Sequence, residues 1–173
     1  MEVQRMRRTR QTAAGLVVGF LAVVGMSTPA AAQGGGAHAI EGVWSMSLTL
    51  RDCASGAALG PPFRTLLTFH SGGTLSETPG STQFAPGQRS SGHGLWSHAG
   101  GNSYTARFLA MILFDTPPAP PAPGFQTGWL VVGSNFTMPD STRLTITASA
   151  QFYDINRNVY RSACPTGTAE RFQ

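Results

Sequence analysis

"GVWSMSLTLRDC", residues 42–53, carries Trp44, Met46, Leu48 and Leu50 at every second position, with Ser45, Ser47, Thr49 and Arg51 between them. A period of two marks a strand that buries one face and wets the other. The alternation recurs. Residues 64–70, RTLLTFH, put Thr65, Leu67 and Phe69 on one side. Residues 103–114, SYTARFLAMILF, align Tyr104, Ala106, Phe108, Ala110, Ile112 and Phe114. Residues 142–153, TRLTITASAQFY, set Leu144, Ile146, Ala148, Ala150 and Phe152 against Arg143, Thr145, Thr147, Ser149 and Gln151. On 103–114 the second face starts polar at Thr105 and Arg107 but turns apolar at Leu109, Met111 and Leu113. A loop or another surface is expected to cover that end.

Shorter strands are expected at 74–78 and 93–99, and longer ones at 125–136 and 159–172, the last broken around Cys164-Pro165. Ser71-Gly72-Gly73 and Gly100-Gly101-Asn102 supply tight turns, since glycine takes positive φ without penalty, and residues 154–158 read as a hairpin loop. Residues 54–62 and the Pro/Gly/Ser-rich 79–92 are loops. TPPAPPAPG, 116–124, reads as a stiff connector, because proline has no N–H to offer a ladder. Eight strands with mostly short links and no helix predict an all-β fold: an eight-stranded antiparallel up-and-down barrel, with a β-sandwich as the alternative.

The two cysteines fit closure. Cys53 ends the first strand and Cys164 lies within the last, and in a closed meander these strands are antiparallel neighbours. A Cys53–Cys164 disulfide would clamp the seam. No Cys-x-x-Cys redox motif is present.

The N-terminus has a different character. Arg5, Arg7, Arg8 and Arg10 precede an uncharged apolar run from Ala13 to Met26, and small residues follow, with an Ala-x-Ala site ending at Ala32. Basic, apolar and small in that order predict a signal peptide over 1–32, cleaved near Ala32, and a secreted or periplasmic product with no integral membrane span after cleavage. Residues 33–40 read as a flexible lead-in and 41–173 as the barrel domain. The chain has 12 basic residues, all arginine, against 8 acidic. Without the leader, 8 basic residues face 7 acidic ones and form no cluster, which excludes a nucleic-acid surface.

Gly42-Val43-Trp44 at the head of the first strand resembles the Gly-x-Trp signature of lipocalins and their calycin relatives. The resemblance implies a tryptophan that closes one barrel end under an arginine from near the last strand. Arg171 is the candidate for that stack on Trp44, with Arg161 second. TFHSGGTLSE (68–77), GHGLW (92–96) and SYTARF (103–108) resemble a family of uncharacterised secreted bacterial lipocalin-like proteins. The chain is also similar in strand count to allene oxide cyclase-like barrels, some of which are isomerases.

Chemical motifs are sparse. There is no lysine, no Gly-x-Ser-x-Gly, no His-Glu-x-x-His and no Gly-x-Gly-x-x-Gly. His93 and His98, five apart, point to opposite faces of a regular strand and cannot share a metal. His70 and Glu77 flank one hairpin and form the one acid–base or metal pair worth testing. No catalytic residue, metal ligand or cofactor is assigned. The aromatic residues Trp44, Phe69, Trp96, Tyr104, Phe108, Trp129 and Phe152 are the candidate ligand-lining set, beside inward small residues Ala106, Ala110, Ala148, Ala150 and Gly133. A small apolar molecule held inside the barrel is therefore the expected function, under a cover formed by the loop at 79–92. A structural or partner-binding domain with a filled core is the alternative, and a barrel isomerase the second alternative.

Overall fold

The computed structural model describes residues 36–81, 83–119 and 123–173; the expected leader at 1–32 and the start of the lead-in, 33–35, lie outside the described residues. Nine strands form one antiparallel sheet: β1 (Gly42–Thr49), β2 (Phe63–Phe69), β3 (Thr74–Thr78), β4 (Gly92–Gly100), β5 (Ser103–Ile112), β6 (Gly128–Asp140), β7 (Arg143–Asp154), β8 (Val159–Ala163) and β9 (Thr166–Arg171). Each strand from β1 to β7 pairs with the next, and β9 pairs with both β7 and β1. The sheet thus closes on itself. β8 and β9 share the eighth staff, β8 lying along Ala150–Tyr153 of β7 and β9 along Arg143–Thr147. The break falls at Cys164-Pro165, where proline contributes no ladder donor. The fold is a closed eight-stranded antiparallel barrel with up-and-down connections, and the sandwich alternative is set aside. No helix among the described residues is long and apolar enough to cross a membrane.

The inward faces follow the expected alternation on β1, β2, β5 and β7. On β6 both parities are apolar, Trp129 and Val131 against Leu130 and Val132, so pattern alone does not orient it. Leu130, Val132, Ser134, Phe136 and Met138 point inward. Trp129 and Gly133 therefore face outward, contrary to expectation, and Trp129 stacks on Tyr153 with ring centres 6.5 Å apart. Leu109, Met111 and Leu113 are also exposed: segment 88–90 pairs with the backbone at 111–113 but leaves the outward side chains uncovered.

Two clasps hold the seam. Below the break, β1 and β9 pair from Trp44↔Arg171 to Thr49↔Thr166. Above it, β8 has left β1, and Cys53–Cys164 spans the gap beside a Cys164 N–H donated to the Arg51 carbonyl at 2.8 Å. At the far end Trp44 is fully buried and donates its indole N–H to the Ile40 carbonyl, while the Arg171 guanidinium carbon sits 4.3 Å from the indole centre. Arg171 also donates to the carbonyls of Ala39, Glu41 and Ser141. The described part of the expected lead-in, 36–40, is thus a turn packed into the barrel floor, with Ile40 fully buried.

Arg171→Ala removes three charge-assisted hydrogen bonds and a cation–π contact, and the expected loss is about 3 kcal/mol in urea unfolding. Reduction of the disulfide, which spans 111 residues, is expected to cost up to about 5 kcal/mol on the loop-entropy account. Unfolding of the protein with and without reductant, each by circular dichroism, measures it.

Candidate functional site: the barrel cavity and its buried ion pair

The two halves of the interior are filled differently. At the floor, Trp44, Phe69, Trp96, Tyr104 and Phe136 pack closely, with Phe69 edge-on to both Trp96 and Phe136 at 5.9 and 5.3 Å. Tyr104 donates its hydroxyl to the Gly36 carbonyl at 3.0 Å. Burial pushes the Tyr104 phenol above its ordinary pKa, and the nearby Arg171 charge opposes that only in part.

Toward the other end the side chains shrink. Ala148 faces Ser134 across the β6–β7 ladder, and Ala150 faces Val132 as the next inward pair. Four adjacent small positions leave a cavity of about 80 Å³. Its remaining walls include Met46, Leu48, Leu67, Phe108, Leu130, Ile146 and Phe152. Phe84, from the loop between β3 and β4, lines the mouth and packs against Phe114 and Phe125, ring centres 6.1 and 5.2 Å away. Phe125 in turn meets Phe152 and lies 4.3 Å from the Arg161 guanidinium carbon. Arg161 thus caps an aromatic cluster at the mouth, while Arg171 takes the Trp44 position at the floor.

The candidate lining residues consequently divide. Phe108 and Phe152 border the cavity; Trp44, Phe69, Trp96 and Tyr104 belong to the packed floor; Trp129 is outside. His70 does not approach Glu77. It is exposed at the floor-side turn and hydrogen-bonds Ser76 Oγ at 2.6 Å, whereas Glu77 points inward. His93 and His98 are exposed, and no group of three metal-ligating side chains occurs among the described residues.

Glu77 has a different partner. Arg89, from the mouth loop, places Nη1 2.9 Å from Glu77 Oε2 and 3.2 Å from Oε1, both side chains being about 95% buried. Thr65 Oγ1 lies 2.9 Å from Oε1, and its single proton is shared with the Thr78 carbonyl 2.6 Å away. Gly92 gives the carboxylate room: a Cβ there would sit 2.6 Å from the Phe108 ring and 3.0 Å from Glu77 Oε2. The parity of β3 held a signal for Glu77, which occupies the same inward set as Leu75. Arg89 sits in a loop without period, and nothing in the sequence pairs it with Glu77.

No protein-family model and no curated protein sequence matches the chain. The architecture itself defines the class: a closed antiparallel barrel, consistent with a lipocalin-like fold, that carries a small apolar cavity and a buried ion pair.

Removing one member of a buried pair strands the other charge, so Glu77→Leu alone is expected to destabilise by about 4 kcal/mol. Glu77→Leu with Arg89→Met removes both charges, and its free energy of unfolding is expected within about 1 kcal/mol of wild type. Urea unfolding of wild type, Glu77→Leu, Arg89→Met and the double variant checks the non-additivity.

Proposed function

We propose that the barrel holds a small apolar molecule in its cavity, with the Phe84 loop as the cover. The observation that carries the reading is the set of four small inward residues on β6 and β7, Ser134, Val132, Ala148 and Ala150, opposite apolar walls. Interiors normally pack without such gaps. Burial returns about 25 cal/mol per Å² of apolar surface, so a ligand there needs few polar contacts. A cavity of about 150 Å³ accommodates benzene, nearly twice the 80 Å³ enclosed here. A ligand of more than a few heavy atoms therefore displaces Phe84 from Phe114 and Phe125. The Cys53–Cys164 bridge fits an oxidising compartment and supports export after removal of residues 1–32.

The small size of the cavity favours a second reading, a structural or partner-binding secreted domain whose core is essentially filled. One experiment separates the two. Tryptophan emission suits it poorly, because Trp44 and Trp96 lie in the floor and Trp129 outside. Native mass spectrometry of the purified protein, with organic extraction and titration of a neutral apolar dye, reads occupancy directly. The expected result is a bound small molecule, or dye binding below about millimolar, reduced at least tenfold in Ala150→Leu while thermal stability is kept or raised. Absence of any bound or titratable ligand, or binding unchanged in Ala150→Leu, establishes the filled-core reading.

A further inference from the structure

Glu77 and Arg89 border the cavity, and the pair is incompletely satisfied. A carboxylate offers about four acceptor positions and a guanidinium five N–H donors. Here Nη1 donates to Oε1, and Thr65 supplies at most one more proton, for which the Thr78 carbonyl competes. Glu77 Oε2 lies in ionic contact with Nη1 but accepts no directed hydrogen bond, and Arg89 Nε has no acceptor among the described residues. An unmet acceptor and an unmet donor therefore belong to one ion pair, about 95% buried, whose side chains line an apolar hollow while these two atoms are themselves shielded from it.

We propose that this pair is the polar recognition element of the cavity, and that its ligand carries a neutral head group able both to donate and to accept a hydrogen bond, a primary alcohol being the simplest. The proposal rests on the reading of the cavity as a ligand site and names the chemistry of the ligand. Once the two side chains turn toward the hollow, a hydroxyl gives its proton to Glu77 Oε2 and takes one from Arg89 Nε, completing both groups at once. A carboxylate head would gain from Arg89 but face the Glu77 charge, and an ammonium head would meet the reverse conflict. The pair is neutral as a unit, and so is the head group that suits it. A loop latch alone does not call for these residues, because apolar side chains of equal volume hold a buried contact at least as well. Buried groups left without partners are rare in native interiors and call for an explanation such as a ligand.

The test compares isomers. Hexan-1-ol and methyl pentyl ether have the same atoms, but only the alcohol donates a hydrogen bond. Binding of each, and of hexanoate, to the purified protein is measured by calorimetric titration or by displacement of the neutral dye. The expected outcome is that hexan-1-ol binds about tenfold more tightly than the ether, and hexanoate more weakly than hexan-1-ol. Glu77→Leu with Arg89→Met is expected to bind both isomers equally. Equal binding of the isomers by the wild type overturns the proposal, leaving the ion pair as a latch and the apolar-cavity reading intact. Hexanoate binding tightest also overturns it, since Arg89 would then act as a free cation. If no compound binds, the cavity reading fails and the proposal falls with it.

Discussion

Along β1, residues Trp44 to Thr49 pair with Arg171 to Thr166 of β9, and this ladder turns a meander with two open edges into a cylinder. Open edges present unpaired N–H and C=O groups that template aggregation, and closure removes them. The rest of the molecule depends on the ladder's register. It sets Arg171 opposite Trp44, where the guanidinium covers the indole and gathers three carbonyls of the floor. It also brings Thr166 opposite Thr49, so that Cys164, two residues earlier, meets Cys53 just past the end of β1. One register thus places both clasps. The upper clasp is needed because Pro165 interrupts the staff where β8 turns away from β1.

The two ends of the cylinder are built to different specifications. The floor is packed with large rings in edge-on contact and anchored by hydrogen bonds from Trp44, Trp96 and Tyr104 to backbone carbonyls. Those bonds make the floor polar-satisfied as well as dense, the combination that gives interiors a single conformation. The mouth is closed instead by the rings of Phe84, Phe114 and Phe125, with the Arg161 guanidinium over Phe125 and that of Arg89 beside Phe84, and none of the three side chains makes a hydrogen bond. Ring contacts without directed bonds are easier to separate than the floor, which makes the mouth the side of access in the proposed reading. Segment 88–90 is tied to the backbone of 111–113, which confines any movement of the loop to the stretch that carries Phe84.

Much of the barrel was legible because strands with one wet face write their orientation into alternate residues. Trp44, Met46 and Leu48, or Leu144, Ile146 and Ala150, leave no choice of face, and the cysteines joined the first and last strands. The failures share a cause, the absence of contrast. β6 has apolar residues on both parities, so its pattern does not reveal that Trp129 and Gly133 face outward. Residues 36–40 have no period, yet the depth of Ile40 and the carbonyls offered to Arg171 make them part of the floor. The candidate site was half legible. Ala148 and Ala150 were recognisable as small inward residues, but the cavity arises from their facing Ser134 and Val132, which only cross-strand register reveals. Ala106, by contrast, is flanked in the ladder by Trp96 and does not border the cavity.

The ion pair is the hardest feature to read and the most informative one about the interior. Glu77 carries an inward carboxylate on a strand whose other inward residue is Leu75, an arrangement that is unfavourable until Arg89 arrives from the loop. Coupling therefore runs both ways: the carboxylate holds the loop over the barrel, and the loop supplies the charge that makes the carboxylate tolerable. Arg89 is held to the β5 backbone at Ile112 and its guanidinium also lies 6.0 Å from the Phe84 ring, so the pair and the ring at the mouth are neighbours in one loop. On the proposed reading the ligand's head group lies at Glu77 and Arg89 and its apolar part toward Ala148 and Ala150, which line the same cavity.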